Sequence, residues 1–159
     1  MAKQYDVRVI LDPAPAQKLP ETLYPLISII TPNLSEAEQL VGFPITNKDE
    51  IIKAAKRIKD HGAQDVIIKM GSQGAFGIIN DKEIFFKPFS VQAIDTVAAG
   101  DAFNGAMAVA LTEGFPLEQA IIWGMAGGAL AVTKKGAQSS MPAREDVIKL
   151  LEAENCQTH

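Results

Sequence analysis

The segment that most constrains this fold is Ile-Asp-Thr-Val-Ala-Ala-Gly-Asp-Ala-Phe-Asn-Gly-Ala, residues 94–106. Its small residues Ala98, Ala99 and Gly100 lead into a run of helix-forming residues, for which we predict a helix over residues 102–111. A turn without bulky side chains leaves the first N–H groups of that helix uncovered. Such a terminus carries about half a positive charge and suits a phosphate or a developing oxyanion.

Two aspartates flank the small residues, Asp95 before them and Asp101 in the predicted first turn. A carboxylate beside an anion hole is what phosphoryl transfer to an alcohol requires, because the amides stabilise the charge and the carboxylate accepts the hydroxyl proton. Spacing alone leaves a second interpretation open. Asp95 and Thr96 can act as ordinary N-caps, and Gly105 and the alanines can allow close helix packing.

Composition argues against several classes of protein. The 159 residues suffice for one domain, and 47% hydrophobic with 21% charged residues is an ordinary globular mixture. With a net charge of −4 and no block of Lys and Arg, we expect no nucleic-acid partner. One cysteine, Cys156, and two histidines, His61 and His159, argue against a disulfide or a metal site built from these residues. We expect no signal peptide, no membrane span and a cytoplasmic location.

Short apolar runs alternate with segments of helical periodicity, which is typical of an α/β fold. We predict strands or short apolar segments at residues 7–11, 26–30, 66–70, 75–79, 83–89 and 91–94. Further helices are predicted from about residue 34 to 42 and at 48–61, 117–133 and 142–151, with fraying from residue 152 onward.

Two turns have simple structural explanations. Before the helix predicted near residue 34, either Asn33 with Glu36 or Ser35 with Glu38 fits a capping box. Residues 71–74, Gly-Ser-Gln-Gly, lie between two predicted strands and are most simply a hairpin connection. Neither pattern alone indicates a ligand.

Residues 95–101, Asp-Thr-Val-Ala-Ala-Gly-Asp, resemble the second signature of the ribokinase-like (PfkB) carbohydrate kinases, Asp-Thr-x-Gly/Ala-Ala-Gly-Asp. Ala98 at the first small position resembles ribokinases in particular. Asn33-x-x-Glu36, the turn at 71–74 and Asp12-Pro-Ala-Pro-Ala also resemble family motifs, with Asp12 in place of asparagine. We interpret Asp12 as a strand-ending residue rather than a direct ligand. The resemblance runs from about residue 7 to 142, in family order.

The resemblance implies a three-layer α/β sandwich with a largely parallel sheet. The chain begins where the family's C-terminal half begins, and the N-terminal half, with its sugar-contacting glycine motif and lid, has no counterpart here. We therefore expect residues 1–159 to form a single, partial nucleotide-binding domain. Apolar surface near residues 7–11 should be exposed, so the expected partner is either a second copy or a separate N-terminal half.

The resemblance also assigns roles to individual residues. Asp101 is implied as the catalytic base, and the amides of Ala98, Ala99 and Gly100 as the anion hole. Glu36 is implied to organise magnesium through water, which suits an ion that keeps several of its waters. The implied nucleotide-binding residues are Asn33, Lys69, Met70, Gly71, Ser72, Gln73, Gly74, Gly100, Asp101 and Met125. The implied ligands of a monovalent cation, potassium, are Asp95, Val97, Ala131, Lys134, Gly136 and Ser140, mostly through carbonyls.

The function implied for the intact parent enzyme is ATP-dependent phosphorylation of a sugar's primary hydroxyl, with ribose as the expected sugar. This chain would supply the nucleotide site, the anion hole and the catalytic aspartate. The alternative is a truncated or non-catalytic module that binds a nucleotide or an ion without kinase activity of its own.

Overall fold

The β-branched runs of the first half of the chain form one five-stranded sheet in the computed structural model, which describes residues 2–5 and 7–157. The strands are β1 Ile10–Leu11, β2 Ile29–Ile30, β3 Asp65–Lys69, β4 Ala75–Ile79 and β5 Lys82–Phe86, in that spatial order. β1, β2 and β3 are parallel, β4 is antiparallel to β3, and β5 is antiparallel to β4. Four of the five strands therefore run in one direction.

Two amphipathic helices pack on this sheet, α1 Leu34–Val41 and α2 Lys48–Asp60. α1 ends at Gly42, whose φ of 78° is the left-handed conformation that a glycine adopts without strain. Asn47 caps α2, because its side chain accepts a hydrogen bond from the Glu50 amide. The apolar faces of both helices join the strands in a single core, which includes Ala37, Ile51, Ala54, Ala55, Ile58, Ile30, Val66, Ile68, Phe76 and Ile78.

A two-residue turn joins β4 to β5. Asn80 and Asp81 have φ values of 48° and 64°, as the favoured hairpin turns require. The Asn80 amide donates to Asp65 Oδ1 over 2.9 Å, so the turn is tied to the start of β3. Strands β3, β4 and β5 therefore form an antiparallel meander on one side of the sheet.

The second half of the described chain is helical: α3 Ala99–Thr112, α4 Leu117–Ala131 and α5 Arg144–Gln157. Glycines on α4 allow α3 to approach closely. A Cβ atom at Gly127 would lie 2.7 Å from Ala106 Cβ and 2.9 Å from the Ala102 carbonyl oxygen. A Cβ atom at Gly124 would lie 2.9 Å from the Phe103 carbonyl oxygen. The close packing predicted for the small residues of α3 therefore holds at Ala102 and Ala106 but not at Gly105, where an added Cβ would meet no atom within 4 Å.

Several predicted elements differ from the structure. The strand predicted at 83–89 ends at Phe86, and of the run at 26–30 only Ile29–Ile30 is a strand. Residues 91–94 form no strand; instead the amides of Ile94 and Asp95 both donate to the Val132 carbonyl, at 2.6 and 3.1 Å. The two amides share one acceptor, so no ladder of strand pairing forms there. Of the apolar run at 7–11 only Ile10–Leu11 is a strand, and Val7 is 57% exposed. α5 begins at Arg144 and extends to Gln157, beyond the predicted helix end at residue 151; fraying of this end stays a prediction.

The chain forms two units, Met1–Lys87 with the sheet and Pro88–His159 with helices α3 to α5. That they belong to a single domain stays a prediction. None of the helices in the part of the chain that the structure describes combines the length and the apolar character needed to cross a bilayer.

We predict that Gly127→Ala destabilises the protein although alanine is the better helix former. The propensity gain is about 1 kcal/mol, but a methyl group 2.7 Å from Ala106 Cβ overpacks the interface, at a cost of about 1–3 kcal/mol. Gly105→Ala is the matched control, since Gly105 lies in exposed α3 surface and its Cβ would meet no atom within 4 Å. Urea unfolding should show opposite shifts for the two variants; stabilisation by both would refute close packing at Gly127.

Candidate functional site

The N-terminus of α3 has no side-chain cap among the described residues. Ala98 is the N-cap residue, with φ −107° and ψ 11°, and it is buried, while Ala99 and Gly100 are half-buried. Among its first N–H groups, that of Ala99 donates to the Thr96 carbonyl at 3.3 Å and that of Ala102 to the Ala98 carbonyl at 2.9 Å. The amides of Gly100 and Asp101 lie between them, in the first turn, where a helix provides no intrahelical acceptor. The structure thus brings the predicted anion-hole residues together at one helix end.

Asp101 lies in the first turn of α3 and is exposed to solvent. Its carboxylate is therefore close along the chain to the amides of Ala99 and Gly100, as the sequence predicts. A base at the mouth of an anion-binding helix end is arranged to accept a proton from a group that approaches the bound anion.

The α4 helix leaves this end of α3 uncrowded. A Cβ atom at Gly128 would lie 3.1 Å from the Ala99 carbonyl oxygen, so any larger residue would press on the first turn of α3. Met125 lies on α4 one turn before Gly128 and is half-buried. It thus belongs to the same unit as the helix end, as an apolar side chain.

Asp95 connects the segment before α3 to the loop after α4. Its Oδ2 accepts a hydrogen bond from the Gly136 amide at 3.0 Å, and its Oδ1 accepts one from the Val97 amide at 3.2 Å. The Gly136 amide, followed by that of Val97, lowers the pKa of the Asp95 carboxyl group. Gly136 has a φ of 90°, and a Cβ atom there would lie 2.7 Å from Ser139 Oγ. Glycine is therefore required at this contact.

Of the other residues predicted to hold a monovalent cation, Lys134 and Ser140 lie in the loop after α4, whereas Ala131 ends α4 and Val97 precedes α3. The Ala131 carbonyl accepts the Lys134 amide at 3.2 Å. Ser140 is buried, and its hydroxyl donates to the Ala137 carbonyl at 2.7 Å. Carbonyl, hydroxyl and carboxylate oxygens are the donors that hard cations prefer, so the set fits a cation such as potassium chemically. Val97 would contribute its carbonyl oxygen, because the valine side chain has no ligand atom.

In the first unit, three polar residues follow the parallel strands at their carboxyl ends. Asp12 follows β1, Asn33 follows β2, and Lys69 ends β3. Lys69 and Asn33 form a parallel bridge, and the Lys69 amide donates to the Pro32 carbonyl at 2.8 Å. Lys69 Nζ lies 2.8 Å from Asp12 Oδ2. Ligands of open α/β sheets bind at this edge, so the three residues lie where a site is expected.

Asn33 and Glu36 form the capping box of α1. Asn33 Oδ1 accepts the Glu36 amide at 2.8 Å, and Glu36 Oε2 accepts the Asn33 amide at 2.7 Å. The alternative pair is wrong, because Glu38 Oε1 accepts the Ile45 amide instead. The cap employs the oxygen of the Asn33 side chain, whereas Nδ2 is a donor of the kind that phosphate oxygens bind. Glu36 Oε1 can likewise accept a hydrogen bond from a metal-bound water.

The turn after β3 is a hairpin connection, as its glycines indicate. The Met70 amide donates to the Gly74 carbonyl at 2.9 Å, and the Gly74 amide to the Gly71 carbonyl at 3.1 Å. Gly71 and Gly74 have φ values of 58° and 94°, which glycine adopts most readily. Gly71, Ser72 and Gln73 are exposed. A contact between this turn and a nucleotide stays a prediction.

Sequence reasoning missed the ion pair of Asp12. We interpreted this residue as a strand-ending turn residue, yet its carboxylate contacts the ammonium of Lys69, 57 positions further along the chain. The available signal was an acidic residue directly after a predicted parallel strand, the position at which sheet-edge sites are built.

Comparisons with known proteins give one consistent result. Residues 1–144 match the family described as pfkB family carbohydrate kinase. The chain is 47% identical over 152 residues to ribokinase from Haemophilus influenzae, covering 96% of this chain and 50% of that protein. A structure of Arabidopsis thaliana ribokinase complexed with ribose and ATP is 36% identical, with a TM-score of 0.88, covering 94% of this chain and 49% of that one.

A crystal structure of phosphofructokinase-2 from Escherichia coli in complex with potassium is 30% identical to this chain, with a TM-score of 0.82. The match covers 96% of this chain and 49% of that one. The expected fold, an α/β sandwich with a mostly parallel sheet, is confirmed by these structures. The chain spans about half the length of the relatives that it matches. On its family match and its identity to ribokinases, the chain belongs to the pfkB family of carbohydrate kinases.

Proposed function

We propose that this chain supplies the phosphoryl-transfer and nucleotide-binding residues of a kinase that uses ATP to phosphorylate a sugar's primary hydroxyl, with ribose as the sugar. The observation that carries the proposal is the N-terminus of α3, without a side-chain cap among the described residues and with Asp101 in its first turn. The relative complexed with ribose and ATP supports both the nucleotide and the sugar.

In this proposal the amides at Ala98, Ala99 and Gly100 stabilise the negative charge of the phosphoryl group during transfer. Asp101 accepts the proton of the sugar hydroxyl as the oxygen–phosphorus bond forms. A helix end suits this role because its donors are already oriented and need no reorganisation during the reaction.

The nucleotide is held by donors and by one apolar side chain. Asn33 Nδ2 and the Lys69 ammonium bind phosphate oxygens, the turn at 70–74 lies along the phosphates and ribose, and Met125 contacts the base. Glu36 orients waters of magnesium, which neutralises the phosphate charge when it is bound.

A potassium ion in the loop of Asp95, Gly136 and Ser140 would act on the anion hole through the chain. Val97 directly precedes Ala98, so ordering the Val97 carbonyl also orders the first amides of α3. The potassium complex of a relative supports this assignment. The ion would be a structural aid to the helix end rather than a participant in bond making.

A module that binds nucleotide or ion without kinase activity is the second candidate. The observation that favours it is coverage, since the chain spans about half of its relatives. Cytoplasmic location and self-association also stay predictions.

We predict that the 159-residue chain binds ADP weakly in the presence of magnesium and does not phosphorylate ribose by itself. Titration calorimetry with ADP tests the first half, because Asn33, the turn at 70–74 and the α3 terminus are all present. A coupled assay with ribose and ATP tests the second. Failure to bind ADP would contradict the proposed nucleotide site, and rapid turnover would contradict the need for further residues.

Asp101→Asn should lower turnover about 10²- to 10⁴-fold, since the variant keeps the volume but loses the base. Turnover is measured in a chimaera in which this chain replaces the matching half of the Haemophilus influenzae ribokinase. ADP affinity should hold or rise slightly. Asp146→Asn, in the first turn of α5, is the matched control and should leave turnover unchanged. Equal turnover for Asp101→Asn and the parent chimaera would remove Asp101 from the mechanism.

The hydrogen bonds of Asp95 predict a pH dependence. The Gly136 amide holds the pKa of Asp95 in the folded state below the usual aspartate value of about 3.9. The hydrogen bonds of Asp95 therefore stabilise the loop fully at pH values above about 3.9. The stabilisation is lost as the pH falls through the lowered pKa. Carboxyl-carbon NMR should give a midpoint below 3.9 and a Gly136 amide shift that titrates with it. The amide titration should vanish in Asp95→Asn; a midpoint at or above 3.9 would contradict the contact.

A further inference from the structure

The Asp12–Lys69 ion pair crosses one strand of the sheet. Asp12 follows β1 and Lys69 ends β3, with β2 between them. Neighbouring strands lie about 4.8 Å apart, so β1 and β3 are about 10 Å apart at this edge. A contact of 2.8 Å between the two side chains therefore requires the lysine to reach across the carboxyl end of β2.

The lysine is held at both of its ends. Its backbone amide donates to the Pro32 carbonyl, and its Cα is paired with that of Asn33. Its ammonium contacts Asp12, and the side chains are only 13% and 23% exposed, respectively. A charge with so little access to water depends on an opposite charge, so removing the Asp12 carboxylate favours rotation of the ammonium out to solvent.

The position of the Asp12–Lys69 pair indicates a role in ligand binding in addition to linking two strands. The ion pair lies at the carboxyl ends of the parallel strands β1 to β3, the sheet edge where ligands of parallel sheets bind. An ammonium is a compact charge with several donors, which suits phosphate oxygens. The surface pair of Lys56 and Glu83, at 2.7 Å, has no such placement and is more exposed, at 56% and 40%.

We propose that Asp12 is a positioning residue, which holds the Lys69 ammonium across the end of β2 so that it binds a nucleotide phosphate. The inference rests on the proposed nucleotide site and adds to it a residue that contacts no substrate. The competing explanation is a structural link between β1 and β3 that affects stability alone.

The test compares ADP with adenosine as competitors against a fluorescent ADP analogue, on the full 159-residue chain with magnesium. Because adenosine lacks phosphate, the ratio of the two affinities reports on phosphate contacts. Lys69→Met should lower the ADP affinity about tenfold or more and leave that of adenosine unchanged. Asp12→Ala should cause a similar loss, and the double variant little more, since both changes remove one contact. Lys56→Met is the control and should change neither affinity.

Each outcome separates the explanations. An unchanged ratio in Lys69→Met overturns the phosphate contact, and a higher ADP affinity in Asp12→Ala overturns positioning, because the carboxylate would then be a competitor. Additive losses in the double variant also overturn it. Wild-type chain that binds neither ligand refutes the proposed nucleotide site itself.

Conservative variants decide the question if the first set fails to fold, which circular dichroism would reveal. Lys69→Arg keeps the charge and should keep most of the ADP preference. Asp12→Asn retains an acceptor oxygen and should lose less than tenfold. A ratio in Lys69→Gln equal to that of Lys69→Arg would overturn the proposal, since only one of them carries the charge.

Discussion

The approach of α3 to α4 is the constraint on which the second unit depends. A Cβ atom at Gly124 or Gly127 would lie within 3.0 Å of α3 atoms, closer than side chains approach, and one at Gly128 would lie 3.1 Å from the Ala99 carbonyl oxygen. The same packing places Gly128, which has no side chain, next to the Ala99 carbonyl in the first turn of α3. A helix end can bind an anion only if its amides are reachable, so the packing of one helix face determines the chemistry available at the end of its neighbour.

In the proposed nucleotide site, the first unit provides hydrogen-bond donors for negatively charged groups with a different structure. Its donors come from the carboxyl edge of three parallel strands and from the cap of α1. Strand ends offer side chains at fixed spacing, whereas a helix end offers backbone amides that substitution of their own side chains does not remove. The contributions of the first unit are therefore the more sensitive to mutation, Lys69 above all.

Local patterns predicted local structure well. The capping box at Asn33, the hairpin at 71–74 and Asp101 in a first turn follow from interactions within four residues, and all appear as expected. The strand expected at 91–94 is wrong because β-propensity does not supply a partner, and a single carbonyl, that of Val132, takes both amides. The Asp12–Lys69 contact joins residues far apart in sequence, and no local rule specifies the pairing. The ligands themselves were inferred from resemblance and stay predictions.

The capping box has a consequence for which residue can occupy position 33. Asparagine, aspartate and serine are about equally good at an N-cap, so helix stability alone does not distinguish them. Only asparagine has an acceptor and an NH₂ donor on one planar group, so it can end a helix and present donors to an anion at once. Aspartate would preserve the helix and repel phosphate, and serine would preserve the helix with a shorter reach. The free energy of unfolding would thus be similar with any of the three residues at position 33. A requirement for asparagine at this position would therefore reflect ligand binding rather than helix stability.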